Sequence, residues 1–392
     1  MKHERRLFMA AHPFAYPLLR GLARLGGVVR LPGVGAVVND AALAREVLMD
    51  GEHFRKDGPG SAGELWTSIL GPSVLLNMEG EAHRVLRRKL AELFTPSYTT
   101  ALCDRVLEVP LDRLAARLSA GETVDLVDAT RLMAGAVICE LIGITIEGSA
   151  EEREHAFREY YRQGSELIAI VKMTTRKFSP RQLARAHAVL DPIADVAAKA
   201  WAAGDESTVV GRMRALGLSE EEARGATGAF FLTGTETVAT AVPRLIALLH
   251  DSGRLDALAA SVRAGESGPL DTAIEEALRV TTPTPVMLRS VAAPATIGAV
   301  RVRPGDRILI ATHNCARAYG DFDPGRPHPP EVRRLWFGAG PHFCIGYPLA
   351  MAETRALART VLSHAPLRVT ARKAARRVLL PAYERLDVVA GR

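Results

Sequence analysis

A glycine-rich loop around one cysteine constrains this chain more than any other feature. The ten residues FGAGPHFCIG run from Phe337 to Gly346, and an apolar helical pattern follows at once. Cys344 has no second cysteine or histidine at Cys-x-x-Cys spacing, so the spacing does not indicate a zinc site. A lone cysteine is most often a small, buried, apolar residue. The residues around this one favour a different interpretation.

The glycines of the loop favour a bound ligand. Gly338, Gly340 and Gly346 have no Cβ, so a flat molecule can approach their backbone closely. Amides of the loop and of the predicted helix Tyr347–Leu362 can donate hydrogen bonds to a thiolate and stabilise its charge. A flat ligand held by one thiolate indicates haem iron.

The loop resembles the cysteine loop of the cytochrome P-450 monooxygenases, which are haem-thiolate enzymes. Five residues fill the family pattern Phe-x-x-Gly-x-(His or Arg)-x-Cys-x-Gly: Phe337, Gly340, His342, Cys344 and Gly346. Leu349, Ala350 and Glu353 match the helix that follows, whereas Met351 replaces the usual arginine. The resemblance implies haem b as cofactor and Cys344 as its iron ligand. It also implies that Phe337, Gly338 and Gly346 help to bind the porphyrin.

The resemblance covers residues 17–390 and predicts a mainly α, cytochrome P-450 fold. We expect a single domain over residues 1–392, with a large helical part and a small β-rich lobe. Residues 27–39 predict two short strands, and Pro304-Gly305 predicts a hairpin between residues 300–302 and 308–310. Residues 57–76 carry Leu65 and Trp66 and are either a surface loop or a lid over the substrate.

A cationic segment, HRVLRRK, follows at residues 83–89. His83 and Arg87 are four residues apart and share one face of a helix. Such a charge run is commonly a solvated helix face. The resemblance instead implies that both side chains bind the haem propionates, together with Arg289 and His342. The family's usual Asp-Pro-Pro-Glu-His is Glu-Gly-Glu-Ala-His here, which makes the start of the helix less rigid.

A long apolar helix is predicted from Ala223 to Leu249, after a Ser-x-x-Glu capping box. Glu236 in its middle argues against a membrane span. The segment TGTETV resembles the family's oxygen-activating segment, in which Gly234, Glu236 and Thr237 match. The resemblance implies that Gly234 lies by the cofactor and that Glu236 and Thr237 are catalytic, as a proton relay. Alternatively, Thr237 merely bonds to the carbonyl four residues earlier.

Glu276 and Arg279 lie three residues apart, which fits a surface ion pair of small energy. By resemblance they match the family's Glu-x-x-Arg, a structural pair that braces the cysteine loop. Arg326 is then the third member of the cluster. The segment 314–337 departs from the family pattern in length and sequence.

Composition bounds the cell compartment and the partners. Four cysteines without regular spacing suit a reducing cytoplasm. A net charge of +6 without a long basic block argues against nucleic-acid binding and favours an acidic protein partner. Pro13 and Pro17 interrupt the apolar N-terminal stretch, so we expect no signal peptide and no membrane anchor.

The function implied is a monooxygenase that inserts one oxygen atom from O₂ into a largely apolar small molecule, in secondary-metabolite or antibiotic biosynthesis. Electrons are expected from a ferredoxin and its NAD(P)H-dependent reductase. The expected docking charges are Arg84, Arg88, Lys89, Arg333 and Arg334. The expected substrate pocket comprises Leu65, Trp66, Ala229, Phe230, Thr233, Val286 and Met287. Alternatives are a peroxide-driven hydroxylase or coupling enzyme of the same fold, and a haem-based sensor.

Overall fold

The computed structural model describes residues 2–33, 35–171, 175 and 177–391. Helices dominate these residues, and none of them is long and apolar enough to cross a membrane. The α-helices of the described residues are α1 (Lys2–Ala11), α2 (Ala15–Leu22), α3 (Ala41–Met49), α4 (Ala62–Leu70), α5 (Gly80–Ala91), α6 (Pro96–Ser119), α7 (Leu126–Leu141), α8 (Ala150–Ala169), α9 (Pro180–Ala203), α10 (Val209–Ala215), α11 (Glu220–Ala239), α12 (Ala241–Asp251), α13 (Leu255–Arg263), α14 (Gly268–Thr281), α15 (Thr312–Arg317) and α16 (Tyr347–Ser363).

The strands are short and form a small β-rich lobe beside the dominant helices. This composition confirms the predicted mainly α class. The strands of the described residues are β1 (Val28–Leu31), β2 (Gly35–Val38), β3 (Phe54–Arg55), β4 (Val124–Asp125), β5 (Met287–Val291), β6 (Ala295–Ile297), β7 (Val300–Val302), β8 (Arg307–Ile310), β9 (Leu367–Ala374) and β10 (Tyr383–Ala390). They build sheets in the orders β1-β2-β8-β5-β3, β4-β10-β9 and β6-β7. The β2–β8 pair is parallel, and the neighbouring β5–β8 pair is antiparallel.

Polar side chains fix where the long helices begin. Ser149, Ser179 and Ser219 each accept a hydrogen bond from the backbone three residues on, and an acidic or amide side chain there returns one. These capping boxes satisfy backbone donors that have no partner within the helix. The predicted box at Ser219 therefore starts the central helix α11.

The predicted single helix from Ala223 to Leu249 is wrong, because the structure divides it into α11 and α12 at Thr240. Pro243 explains the position of the break. Its nitrogen carries no hydrogen for the carbonyl of Ala239, and its ring clashes with that carbonyl. The last residue of α11 is Ala239.

The predicted hairpin between β7 and β8 is also wrong, since the two strands lie in different sheets. β7 pairs with β6 across Gly298 and Ala299, and Gly298 has φ 56°. A two-residue turn with a left-handed glycine suits an antiparallel pair. β8 instead has β2 and β5 as its neighbours. In the segment 57–76, helix α4 replaces the predicted loop, because Ser61 caps it by accepting from the Glu64 amide.

The cysteine loop lies where the β-rich lobe meets the helices. Leu335 and Ala339 are buried with side chains of α3, β2 and β8 in one apolar cluster. Gly340 has φ 65°, and a Cβ there would lie 2.6 Å from the carbonyl oxygen of Leu48. Only glycine permits both this backbone conformation and this approach. The end of α3 therefore fixes the position of the loop.

A buried ion pair ties α1 to α12. Arg244 Nη2 donates to Glu4 Oε2 at 2.5 Å, and both side chains are almost fully inaccessible. The same guanidinium donates to the carbonyls of Thr281 and Pro381, both at 3.0 Å. Removal of one partner from such a pair costs about 3–5 kcal/mol. The pair therefore holds the N-terminal helix against the core.

Candidate active site

Cys344 differs from the other cysteines of the chain. Cys103, Cys139 and Cys315 are buried, whereas Cys344 is accessible. Desolvation by the surrounding protein nevertheless raises the pKa of its thiol, while the amides of the following residues and the charges of Arg87 and Lys56 oppose that rise. A sulfur that is both accessible and desolvated borders an internal space rather than the outer surface.

Aromatic contacts fix the cysteine loop. The rings of Phe337 and Tyr347 meet edge to face at 5.0 Å, and Phe343 lies 5.6 Å from Tyr347. The amide of Cys344 donates to the carbonyl of Phe337 at 2.9 Å. A Cβ at Gly346 would lie 3.8 Å from the sulfur, so this glycine keeps one flank of the thiol free. These contacts therefore hold the Cys344 sulfur in a fixed position just before α16.

The four residues predicted to bind propionates lie around this loop. His83 is buried on α5, and its ring lies 4.2 Å from that of His342. Arg87 donates to the carbonyl of Phe343 at 2.6 Å. Arg289 is buried on β5 and donates to the carbonyl of Leu288 at 2.9 Å. The structure thus brings all four to one side of the site, from α5, β5 and the loop itself.

Two further charged residues of the site were missed from the sequence. Glu79 accepts from the Lys56 amide at 2.6 Å, and its other oxygen lies 2.9 Å from His342 Nε2. Burial lowers the pKa of Lys56 to about 7, and the charge of Arg289 adds to this effect. In the sequence, Glu79 stands out only because the family pattern has an aspartate at this position. Lys56 follows β3 in a segment without a motif, so no sequence signal pointed to it.

The electrostatics of the site suit an anionic ligand with two carboxylates. Burial lowers the pKa of Arg289 to about 10, and burial lowers that of His83 to about 4, with help from the charge of His342. Among the described residues, Nε2 of His83 is buried and has no hydrogen-bond partner. The carboxylate of Glu79 acts on both Lys56 and Arg289, and the charge of Arg87 acts on Lys56 and on Cys344. A porphyrin carries two carboxylates, and the donors present fit them.

The metal chemistry is consistent with this fit. In the part of the chain that the structure describes, no group of three or more His, Cys, Asp or Glu residues can hold a metal ion. A metal at Cys344 therefore needs further ligands from a cofactor, as a porphyrin provides.

Helix α11 brings Thr233 and Thr237 to one face. Thr237 Oγ1 donates to the Thr233 carbonyl at 2.8 Å, and Thr233 Oγ1 donates to the Ala229 carbonyl at 2.7 Å. Thr233 is exposed, although α11 packs among α7, α8 and α9. The alternative bond of Thr237 to the carbonyl four residues earlier is thus present in the structure.

Glu236 points to another side of α11. Its Oε1 accepts from the Tyr161 hydroxyl on α8 at 3.0 Å. The carboxylate lines a small cleft together with Arg131, Thr240 and Tyr383. The structure therefore does not bring Glu236 and Thr237 into a shared hydrogen bond.

Gly234 allows two helices to approach each other. A Cβ at Gly234 would lie 3.2 Å from Ile138 of α7, and α11 continues unbroken through this residue. The predicted contact of Gly234 with the cofactor stays a prediction.

The residues predicted for the substrate pocket come from α4, α11 and the start of β5. The half-buried members are Leu65, Trp66, Ala229, Val286 and Met287. Phe230 is buried, and its ring meets that of Phe94 edge to face at 5.2 Å. Trp66 lies 6.0 Å from Phe178. The set is largely apolar, and Thr233 supplies its one hydroxyl.

Glu276 and Arg279 form a buried pair rather than a surface pair. Arg279 Nε lies 2.7 Å from Glu276 Oε2, and both side chains are fully buried. Arg326 Nε lies 3.6 Å from Glu276, beyond hydrogen-bond distance. His328, which no motif indicated, is closer: its Nε2 lies 2.8 Å from Glu276.

The predicted docking charges differ in their surroundings. Arg84 pairs with Glu81, Lys89 with Glu222 and Arg334 with Glu275. Arg88 and Arg333 are exposed.

Comparison with known proteins gives the family. The family model "Cytochrome P450" matches residues 269–376, which include the buried pair and the cysteine loop. The cytochrome P-450 monooxygenase DoxA of Streptomyces sp. (strain C5) is 29% identical over 368 residues, covering 85% of this chain and 82% of that protein. The erythromycin C-12 hydroxylase of Saccharopolyspora erythraea is 26% identical, covering 74% of this chain and 73% of that protein.

Solved structures agree in fold. A mutant of P450 EryK in complex with erythromycin B has a TM-score of 0.78 at 23% identity, with 98% of both chains covered. P450BioI in complex with an acyl carrier protein has a TM-score of 0.79 at 21% identity, covering 97% of this chain and 99% of the other. These likenesses, the family model and the relatives confirm the resemblance of the cysteine loop. The chain belongs to the cytochrome P450 family.

Proposed function

We propose that this cytochrome P450 monooxygenase binds haem b through the thiolate of Cys344 and hydroxylates a largely apolar organic molecule. The observation that carries the proposal is the accessible, desolvated sulfur of Cys344 beside the half-buried cations Arg87 and Lys56. Family membership makes the protein an oxygen-incorporating oxidoreductase. When bound, haem supplies the activation of O₂, which no side chain can perform.

The residues around the loop hold the cofactor. Amides before α16 and the charge of Arg87 stabilise the thiolate form of Cys344. His83, Arg87, Arg289 and His342 bind the propionates, while Glu79 keeps His342 in place through their 2.9 Å contact. Arg289 is buried and donates to the Leu288 carbonyl. A propionate partner would offset the desolvation free energy of its buried charge.

Proton delivery falls to α11. Insertion of one oxygen atom and reduction of the other to water consumes two protons, which must reach an apolar pocket. A hydroxyl can accept one hydrogen bond while it donates another, so Thr237 can relay a proton once it releases the Thr233 carbonyl. Glu236 resupplies the proton as a general acid, from a carboxylate that Tyr161 orients.

Electrons come from a ferredoxin and its NAD(P)H-dependent reductase in the cytoplasm. Arg88 and Arg333 are exposed cations near the segments that hold the cofactor, and an acidic partner is attracted to such charges. Turnover with O₂ and a ferredoxin, compared with turnover by peroxide alone, separates this function from a peroxide-driven hydroxylase.

The substrate class rests on the pocket and on the relatives. The side chains of α4, α11 and β5 offer mostly carbon to a ligand. One relative is named for hydroxylation of erythromycin. We therefore propose a product of secondary metabolism, in an antibiotic pathway, as substrate. Spin-state shifts of the haem spectrum across a compound library test this class.

Replacement of the thiolate tests the iron ligand. Cys344→His is expected to retain some haem and to lose the thiolate type of spectrum with CO, because imidazole donates less charge to iron. The measurement is the visible spectrum of the reduced, CO-treated protein. Cys139→Ala, which removes a buried thiol of α7, is the control and should keep that spectrum. A normal spectrum in Cys344→His would contradict the assignment.

Loss of a propionate partner tests the cationic cluster. Arg289→Leu is expected to release haem at least about tenfold faster, since one charge-assisted hydrogen bond to a buried carboxylate is lost. Transfer of haem to an excess of apomyoglobin measures the rate. Arg301→Leu, an exposed arginine on β7, is the control. Equal release rates from the two variants would remove Arg289 from the site.

Charge reversal tests the docking surface. Arg88→Glu is expected to slow reduction by a ferredoxin roughly tenfold at low salt, and added salt should shrink the difference. Stopped-flow reduction under CO gives the rate. Arg185→Glu on α9, another exposed arginine, should leave it unchanged. A rate that depends on neither Arg88 nor salt would argue against this surface.

Two threonines of α11 test the proton relay. Thr237→Ala is expected to consume reduced cofactor and O₂ but to release more peroxide and less oxidised product. Thr235 makes the same bond to its own turn, from its hydroxyl to the Phe231 carbonyl at 2.6 Å, but it is buried against α8. Thr235→Ala is therefore the matched control. The product formed per NAD(P)H consumed is measured, and full coupling in Thr237→Ala would mean that protons take another path.

A further inference from the structure

The first two helices carry an unusual share of exposed apolar side chains. Phe14 is 88% exposed, Leu25 is 72% and Leu18 is 64%. The Leu18 amide bonds to the Phe14 carbonyl, and the Leu25 amide bonds to the Leu22 carbonyl, so helical turns extend α2 at both ends. At about 100° per residue, positions 14, 18 and 25 share one side of that helix. Leu22, which is buried, lies next to this side, about 60° from its centre.

The exposed charges of α1, α2 and the turn after α2 have one sign. Exposed cations stand at Lys2, Arg5, Arg6, Arg20 and Arg24. Within residues 2–33 the sequence has one acidic residue, Glu4, and its carboxylate is buried against Arg244. The neighbouring chain adds exposed Arg376 and Arg377, and the Arg377 amide bonds to the Ala10 carbonyl. No exposed carboxylate of α1 or α2 offsets these charges.

We propose that α1 and α2 form a peripheral docking surface for an anionic lipid surface. Phe14, Leu18 and Leu25 enter the interface between headgroups and acyl chains, and the arginines bind lipid phosphates. An apolar helix side flanked by cations binds in this way, through apolar burial together with attraction to anionic lipid. Each Lys or Arg near such a surface adds to the attraction.

The shape of the surface favours lipid over an acidic protein. Phe14 stands at the corner between α1 and α2 and is almost wholly exposed, so the apolar side is a protrusion and not a groove. A fluid lipid interface accepts a protrusion of any shape, whereas a protein partner needs a matching pocket. The surface is also separate from the charges of α5 proposed for ferredoxin. The inference does not rest on the proposed reaction.

The Glu4–Arg244 pair makes the surface rigid. It neutralises the one carboxylate of α1 and fixes the helix to α12. Asn314 and Asn39 donate to the carbonyls of Leu19 and Leu22, which anchors α2. Lipid binding therefore requires no folding of a disordered segment.

Vesicle flotation of the full-length protein tests the proposal. At low salt, binding to vesicles of equal parts phosphatidylglycerol and phosphatidylcholine is expected to exceed binding to phosphatidylcholine alone by at least about tenfold. Phe14→Ser with Leu18→Ser, and separately Arg20→Glu with Arg24→Glu, should each reduce it by about tenfold or more. Val109→Ser removes an exposed apolar residue of α6 and Arg185→Glu an exposed cation of α9, and both should bind like the wild type. The CO spectrum shows that each variant is folded.

Four results would overturn the proposal. The first is no binding to anionic vesicles at low salt, and the second is binding that the variants leave unchanged. The third is concentration-dependent self-association that Phe14→Ser abolishes in sedimentation velocity, which would make the surface an interface between two copies of this chain. The fourth is slower reduction by ferredoxin in Arg20→Glu with Arg24→Glu, which would make it a site for an acidic protein.

Discussion

The buried carboxylate of Glu276 holds together the chain that leads to the cysteine loop. It accepts from Arg279 and from the Asp323 amide, and His328 lies within hydrogen-bond distance. Arg279 extends the network to the carbonyls of Ala316 and Gly320. A fully buried ion pair contributes little to stability by itself, because desolvation offsets the attraction. Its contribution here is geometric, since its hydrogen bonds fix the backbone at Ala316, Gly320 and Asp323.

This geometry explains how the cysteine loop is held in position although the segment before it, residues 314–337, departs from the family pattern. Arg326 does not come within hydrogen-bond distance of Glu276. His328 takes the nearer position and meets the Trp336 ring edge to face at 5.4 Å. The carboxylate thus has Arg279 and His328 within hydrogen-bond distance and Arg326 at ion-pair distance. Beyond it, Gly340 sets the loop on the end of α3 and the aromatic contacts fix Cys344.

Local signals in the sequence predicted what depends on local chemistry. The Ser219 capping box predicted the start of α11, and the helical spacing of Glu276 and Arg279 predicted their pairing. Errors arose where a distant partner decides. β8 pairs with β2 and β5, so the turn after β7 was misread as a hairpin. Lys56 and Glu79 join the site only through tertiary packing: Lys56 lies in no recognisable pattern, and Glu79 is the first residue of a segment that departs from the family pattern. Pro243 could have predicted the end of α11. A proline inside a helix leaves the carbonyl four residues earlier without a donor, and here that residue is Ala239.

The proposed chemistry requires a proton to pass between two side chains that lie on different sides of α11. Glu236 and Thr237 are adjacent in sequence, but adjacent helical residues point about 100° apart. The carboxylate accordingly bonds to Tyr161 on α8, and the hydroxyl bonds to its own helix. Desolvation raises the pKa of Tyr161, and the negative charge of Glu236 adds to that effect, so the phenol remains a donor to the carboxylate rather than an acid.

A proton that enters by the cleft beside Glu236 must therefore change sides of the helix to reach Thr237. Rotation of the two side chains, or a water between them, can achieve this without opening the helix, because α11 keeps its backbone bonds through Gly234. The break at Thr240 lies beyond both residues, so the carboxylate and the hydroxyl move on one rigid helical support.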